Sequence, residues 1–302
     1  MKNEAINIIG RGVNDPHIHI FNNRAYLYAS HDDSIDNTKF VMKDWWVWSS
    51  DDLLNWKHES TLKPEEIYIK KPSDACWATD AVEKNGKYYW ALSDMNRDGD
   101  GARIGMVVSD NPGGPWRDPL GKPLLEADCA ETDVYDPCFF KDDDGSVYIA
   151  FGVWDYYIAK MSEDMMSIQG EPHRLEIRNP EGPYGKGKTD DKVSLHKRGD
   201  IYYLSWGSYY AMSDSLFGVY ECQGTIIDSN KMEKRFVERS WPQGPTQGRH
   251  GNHFQWNDQW YFTYCEMAFS NNRFFRDFWI SKTEYAEDGK ILPITIDSDC
   301  VR

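Results

Sequence analysis

Helical periodicity is nearly absent from this chain. Its apolar residues alternate in twos and stop at Gly, Pro, Asn and Asp, which excludes helical bundles and points to an all-β protein. No apolar run approaches the ~20 residues of a membrane span, and the opening MKNEAINIIGRG lacks an apolar stretch long enough for a leader. The chain as written is expected in the cytoplasm with no membrane partner; secretion would need a leader already removed from a precursor. Cysteines are few and scattered. Cys76, Cys129, Cys138, Cys222, Cys265 and Cys300 form no CxxC pair and no zinc spacing. Most lie in apolar runs and are expected to be buried, reduced thiols. Positive charge is also short: 34 Lys and Arg face 49 Asp and Glu, a formal charge of −15. Nucleic acid and anionic membranes select for basic faces, so neither is expected as a partner, and a neutral substrate fits. No Gly-rich phosphate loop, Ser/His/Asp set or Cys/His pair stands out. No Pro- or Ser-rich linker, low-complexity segment or shift of composition divides the chain. One domain over residues 1–302 is expected, and nothing in the composition sets an oligomeric state.

What the chain does have is a repeat. NNRAYLYAS (22–30), NGKYYWALS (85–93), DGSVYIAFG (144–152), RGDIYYLSWG (198–207) and NDQWYFTYC (257–265) each lead a turn into an aromatic strand. Their spacing of roughly 55–65 residues is that of a repeated supersecondary unit. Strand, tight turn, strand and further strand-like runs make up one propeller blade. Five such units predict a five-bladed β-propeller. Aromatic residues make up 15% of the chain, with 13 Trp and 18 Tyr. Most of them are expected in blade cores, and the remainder are suited to stacking on the C–H faces of sugars.

The repeat aligns polar residues that are distant in sequence. About ten residues before each repeated tyrosine lie Asp15, Asp80, Asp136, Asp191 and His250, and equivalent positions of successive blades converge on one axis. Asp15 and Asp136 each precede a proline and an apolar run, the same device in two blades. Asp190 and Asp191 open VSLHK beside Lys192, after a Gly-rich approach. Glycines on both sides of His250 allow a close approach to the axis. Two carboxylates facing one sugar are the minimum for glycoside hydrolysis: one protonates the leaving oxygen, the other activates water or attacks. A third can raise the acid's pKa by like-charge repulsion. Asp15, Asp136 and Asp191 are the candidate catalytic set. Trp77, Trp206 and Arg249 lie within a few residues of blade openings and are candidates for substrate contact, by stacking and by paired hydrogen bonds. The same ring of carboxylates would also serve a carbohydrate-binding propeller without catalysis.

NDPHIHIF, WSSDDLLNW, CWATDAVEKNGKYYWALS, VYDPCFFKDDDGSVYIAFG, DKVSLHKRGDIYYL and GRHGNHFQWNDQWYFTY together resemble glycoside hydrolase family 43, over essentially the whole chain. The resemblance implies an inverting, five-bladed enzyme acting on xylose- or arabinose-containing glycans. It implies Asp15 as general base and Asp136 as the residue that tunes and orients the acid. It places His250 beside a calcium ion or an ordered water, with no cofactor required for the chemistry. The family opens its fourth blade with Glu-Gly-Pro, whose Glu is the acid. A gapless match puts Asp191 there, whereas the literal Glu181-Gly182-Pro183 comes ten residues earlier, so both stay in contention. CWATD stands where the family has Trp-Ala-Pro-Asp, which makes Trp77 and Asp80 pocket wall and substrate contact. Asn14-Asp15-Pro16, Asp136-Pro137 and Glu221-Cys222 also resemble family 32 β-fructosidases. In this chain, however, the Glu-Cys pair comes late in the fourth blade, after the aromatic strand and not at a blade's opening, and no appended β-sandwich is expected after the fifth blade.

Overall fold

The repeat closes on itself. A computed structural model describes residues 8–96 and 101–298. In it each aromatic strand is the second of an antiparallel sheet, and five such sheets form the blades. Blade one is Val13–Phe21, Arg24–Asp32, Met42–Ser50 and Lys57–Leu62. Blade two is Cys76–Lys84, Lys87–Asn96 and Gly101–Ser109, edged by bridges from Val108 to Arg117 and Ile104 to Leu125. Blade three is Cys138–Lys141, Val147–Phe151, Tyr157–Met161 and Ile168–Arg174. Blade four is Val193–Arg198, Ile201–Trp206, Tyr209–Ser213 and Val219–Thr225, with Glu176–Arg178 added in parallel at its edge. Blade five is His253–Trp256, Gln259–Glu266 and Asp277–Thr283.

The apolar residues sort into five cores, and each lies between two neighbouring blades. Trp45 and Trp90 sit between blades one and two, Phe139 and Ile104 between two and three, and Trp206 and Tyr156 between three and four. Tyr203 and Trp279 fill the gap between four and five, and Trp56 and Phe278 join five back to one. Wide rings suit these wedges, because one aromatic side chain buries 150–250 Å² on folding. The expected destination of most aromatics is therefore the observed one. Cys76, Cys138 and Cys265 are buried, Cys129 and Cys222 are partly buried, and all five are free thiols. Cys300 lies outside the described residues. No helix among the described residues is long and apolar enough to cross a membrane.

Around the axis the inner strands join hands through side chains. His17 Nδ1 meets Asp80 Oδ1 at 2.7 Å. Asp80 Oδ2 accepts the Phe139 N–H at 2.6 Å, Cys138 Sγ accepts that of Leu195 at 3.3 Å, and Asn252 Oδ1 accepts that of Ile18 at 2.9 Å. The hairpins pair Asp80 with Ala91 and Cys138 with Ala150. Asp80 is thus equivalent to Cys138, two residues beyond Asp136. The true equivalents of Asp15, Asp136 and His250 are Ala78 and Lys192, so the ring read from the sequence is out of register in blades two and four. Asp15, Asp136 and Lys192 share a left-handed backbone, with φ of 44°, 57° and 57°. Aspartate tolerates that region better than most residues.

Candidate active site

Asp15 sits where blade one opens, and it is almost fully enclosed. Its Oδ2 accepts hydrogen bonds from Ser30 Oγ at 2.8 Å and Asn14 Nδ2 at 2.9 Å. Its Oδ1 accepts from Arg276 Nη1 at 3.1 Å and pairs with His250 Nδ1 at 3.0 Å. Burial disfavours its charge, but the Arg276 guanidinium and then His250 outweigh that and hold the carboxyl well below the usual carboxylate range. Arg276 itself is clamped between Asp15 and Asp32, with its Nε donating to Asp32 Oδ2 at 2.9 Å.

His250 links the carboxylates. Its Nε2 lies 2.6 Å from Asp191 Oδ1 while Nδ1 faces Asp15. Both nitrogens point at carboxylate oxygens, so both donate. Burial opposes the positive charge, yet Asp191 and Asp15 keep the imidazole protonated well above its ordinary range. One ring thus stands between the two carboxylates and holds them apart, one on each of its nitrogens.

Asp136 is buried at the opening of blade three, where its Oδ2 accepts the Lys192 N–H at 2.9 Å. Its own N–H donates to Ser93 Oγ at 2.8 Å. Burial and the neighbouring Asp191 charge push its carboxyl up to about 7. Asp191 goes the other way: burial raises it, but His250 wins and lowers it. Asp190, directly before it, is pushed up to about 8 by burial and by the Asp191 charge.

These groups line one pocket of about 250 Å³. Phe40, Trp77, Tyr135, Tyr184 and Trp241 form its aromatic wall. Trp77 meets Tyr135 edge to face at 5.3 Å, and the Arg276 guanidinium lies 4.5 Å from the centre of the Phe40 ring. At the rim, Tyr184 packs edge to face against the half-exposed Trp154 at 5.0 Å. The result is a polar floor with carboxylates in opposite protonation states and apolar walls, a shape suited to a sugar ring.

The pocket gathers Asp15, Asp136, Asp191, His250 and Trp77 from the residues picked out in the sequence. It does not gather the others. Asp80 is on the axis, held between His17 and His19 at 2.7 and 2.5 Å, where burial opposes its charge but the two histidines keep it ionised. Trp206 is fully buried between blades three and four, its indole N–H donating to the Glu181 carbonyl at 2.9 Å. Arg249 is buried against Glu266 and the carbonyls of Pro245 and Cys265. Glu181 belongs to a two-residue hairpin strand paired with Gly185–Lys186, away from the pocket lining. Each of these four is spent on holding the scaffold.

Among the pocket residues left unassigned in the sequence are Arg276, Asp190, Tyr135 and Trp241. An arginine inside the apolar run FFRDFWI was the available signal, since a buried guanidinium needs carboxylate partners. As for calcium, which prefers six to eight oxygen ligands, His250 does not fit as a direct ligand: both of its ring nitrogens are already engaged with carboxylates.

Comparison with known proteins agrees with the geometry. The family model described as "Glycosyl hydrolases family 43" matches residues 6–291. A xylosidase/arabinosidase of Bacteroides ovatus is 28% identical, over 93% of this chain and 94% of its own. A solved β-xylosidase superposes with a TM-score of 0.78 at 24% identity, covering 99% of this chain and 100% of that one. A family 43 β-xylosidase/α-arabinofuranosidase from a compost metagenome, solved with xylotriose in a calcium-free form, superposes with a TM-score of 0.76. It is 25% identical, with 95% of each chain covered.

Proposed function

The chain belongs to glycosyl hydrolases family 43 and is a glycoside hydrolase; from that premise we propose that it inverts configuration at a xylose or arabinose residue of an oligo- or polysaccharide. The observation that carries this reading is the His250 bridge, which holds Asp15 and Asp191 on opposite nitrogens of one imidazole in a single pocket, the two facing carboxylates that the reaction needs. Asp15, kept ionised by Arg276, takes a proton from the attacking water. The water oxygen bonds to the anomeric carbon as the bond to the leaving oxygen breaks, and Asp191 supplies that oxygen's proton. Asp136 faces Asp191, and in its ionised form its negative charge raises the proton affinity of Asp191 by like-charge repulsion. Trp77 and Tyr135 offer faces for the ring. Membership of family 43 sets aside the β-fructosidase reading, and the ionised Asp15 favours catalysis over sugar binding alone.

The test is a panel of nitrophenyl β-xyloside, α-arabinofuranoside and galactoside, with the first-formed anomer followed by NMR. Release from the xyloside or the arabinofuranoside with an inverted product is expected. A retained anomer overturns the mechanism, and turnover of the galactoside alone overturns the sugar assignment. Localisation in the cytoplasm, and action without a metal, belong to the same proposal. Since His250 spends both nitrogens on carboxylates, full activity is expected after exhaustive chelation with EDTA. A loss that calcium restores would contradict it.

A further inference from the structure

Asp191 poses a chemical problem for the reaction just described, on which this inference rests. A general acid must carry a proton, but Asp191 Oδ1 lies 2.6 Å from a histidine nitrogen that donates to it. The proton is next door. The Asp190 carboxyl is nearly enclosed and lines the same pocket, directly before Asp191 in the chain. Two carboxyls this close in one enclosed pocket disfavour a second negative charge, so one of them holds a proton. Asp190 Oδ1 also accepts the Asp191 backbone N–H at 3.0 Å, which fixes the two groups relative to each other. On its other side Asp190 is pinned through its backbone. Its carbonyl accepts the Tyr156 hydroxyl at 2.6 Å and the Trp154 N–H at 3.4 Å.

We propose that Asp190 stores the proton that Asp191 delivers to the departing sugar oxygen, so that two short carboxyls act in place of one longer acid. As the C–O bond breaks, the Asp191 proton moves to the leaving oxygen and the Asp190 O–H proton moves to Asp191. Asp190 is recharged from solvent as the product leaves, and the proton that Asp15 took from water returns to solvent. Asp190 is therefore a positioning and proton-storing residue, and Asp191 is the group that touches substrate. The charges facing Asp190 agree with this. Asp191 raises its proton affinity and His250 opposes it, with burial adding to the former. Tyr135, Tyr156, Tyr184 and Tyr209 feel its charge but are held neutral, their hydroxyls pushed above the ordinary tyrosine range mainly by burial.

The experiment compares wild type with Asp190→Asn and Asp190→Glu, in the full chain, on two substrates of the same sugar. One carries dinitrophenol, which departs without a proton; the other is a disaccharide, whose leaving alcohol needs one. Asp190→Asn keeps a hydrogen bond to Asp191 but has no proton to give. It should lose roughly 10–100-fold in kcat on the disaccharide, part of the full worth of acid catalysis, and under about 5-fold on the dinitrophenyl glycoside. The alkaline limb of kcat/KM should also move, while Asp190→Glu keeps the wild-type limb. Equal losses on both substrates, or an unmoved limb, would overturn the storage role. If the asparagine variant does not fold, carbon-13 labelling of wild-type aspartates decides the matter: an Asp190 carboxyl already ionised at pH 7 overturns the proposal, and a protonated one supports it. Wild type inert on both glycosides would instead count against the glycosidase reading itself.

Discussion

Asp15→Asn should lower kcat by roughly 10²–10⁴-fold or more, the range for removal of an acid–base group, with the fold intact. Asparagine has nearly the same shape, so Ser30 and Asn14 keep an oxygen to donate to. Arg276 keeps Asp32, and His250 keeps Asp191. What disappears is the anion that can accept a proton from water. KM should change little, because the walls of the pocket come from other residues. Thermal melting and kcat on a nitrophenyl glycoside check both halves. Normal turnover in the variant removes Asp15 from the role of base.

Arg276→Met should act on stability as well as on rate. Arg276 is buried with Asp15 and Asp32, and its forked guanidinium serves both. Removing one partner of a buried ion pair costs about 3–5 kcal/mol, because the remaining charge has nowhere to go. The deficit should shrink as the pH falls. In wild type Asp15 is depressed, so its contribution to stability is present above the unfolded value of about 3.9 and is lost only as pH drops through the folded one. Without Arg276 that depression is largely gone, and protonation relieves the stranded carboxylates earlier. Urea midpoints at pH 7 and pH 5 test this: a deficit that stays constant or grows on acidification contradicts the pairing. Arg276→Lys should recover only part of the loss, since a point charge cannot fork between two carboxylates.

The five-fold repeat was legible because turn and aromatic strand recur with the hairpins that build each blade. The register around the axis was less so. A loose count back from the repeated tyrosines settles on the nearest carboxylate and misplaces Asp80 by two residues and Asp191 by one, whereas the pairing of Asp80 with Ala91 and of Ser194 with Ser205 puts Ala78 and Lys192 at those openings. Pairing across the hairpin, not distance along the chain, decides which residue reaches the axis. Trp206 and Arg249 show the same limit: a residue near a blade opening can face the neighbouring blade as easily as the pocket. Arg276 and Trp241 come from segments between the repeats, where no period carries information. Glu181 illustrates the reverse case, a local Glu-Gly-Pro string placed where the chain makes a short hairpin instead of a blade opening.

The five wedge-shaped cores change what counts as a transferable piece of this molecule. A sequence repeat corresponds to one sheet, but every core is owned jointly by two sheets. Exchanging a whole blade with a relative at the repeat boundaries would therefore mismatch two sets of interlocking side chains at once. Crossovers drawn through the middle of a sheet do no better, because neighbouring residues of one strand face opposite cores: Leu27 packs between blades five and one, and Tyr28 between blades one and two. Each blade is thus locked to both of its neighbours through the two faces of the same strands, and the smallest piece that moves without cutting a core is the whole ring, which the visible repeat conceals.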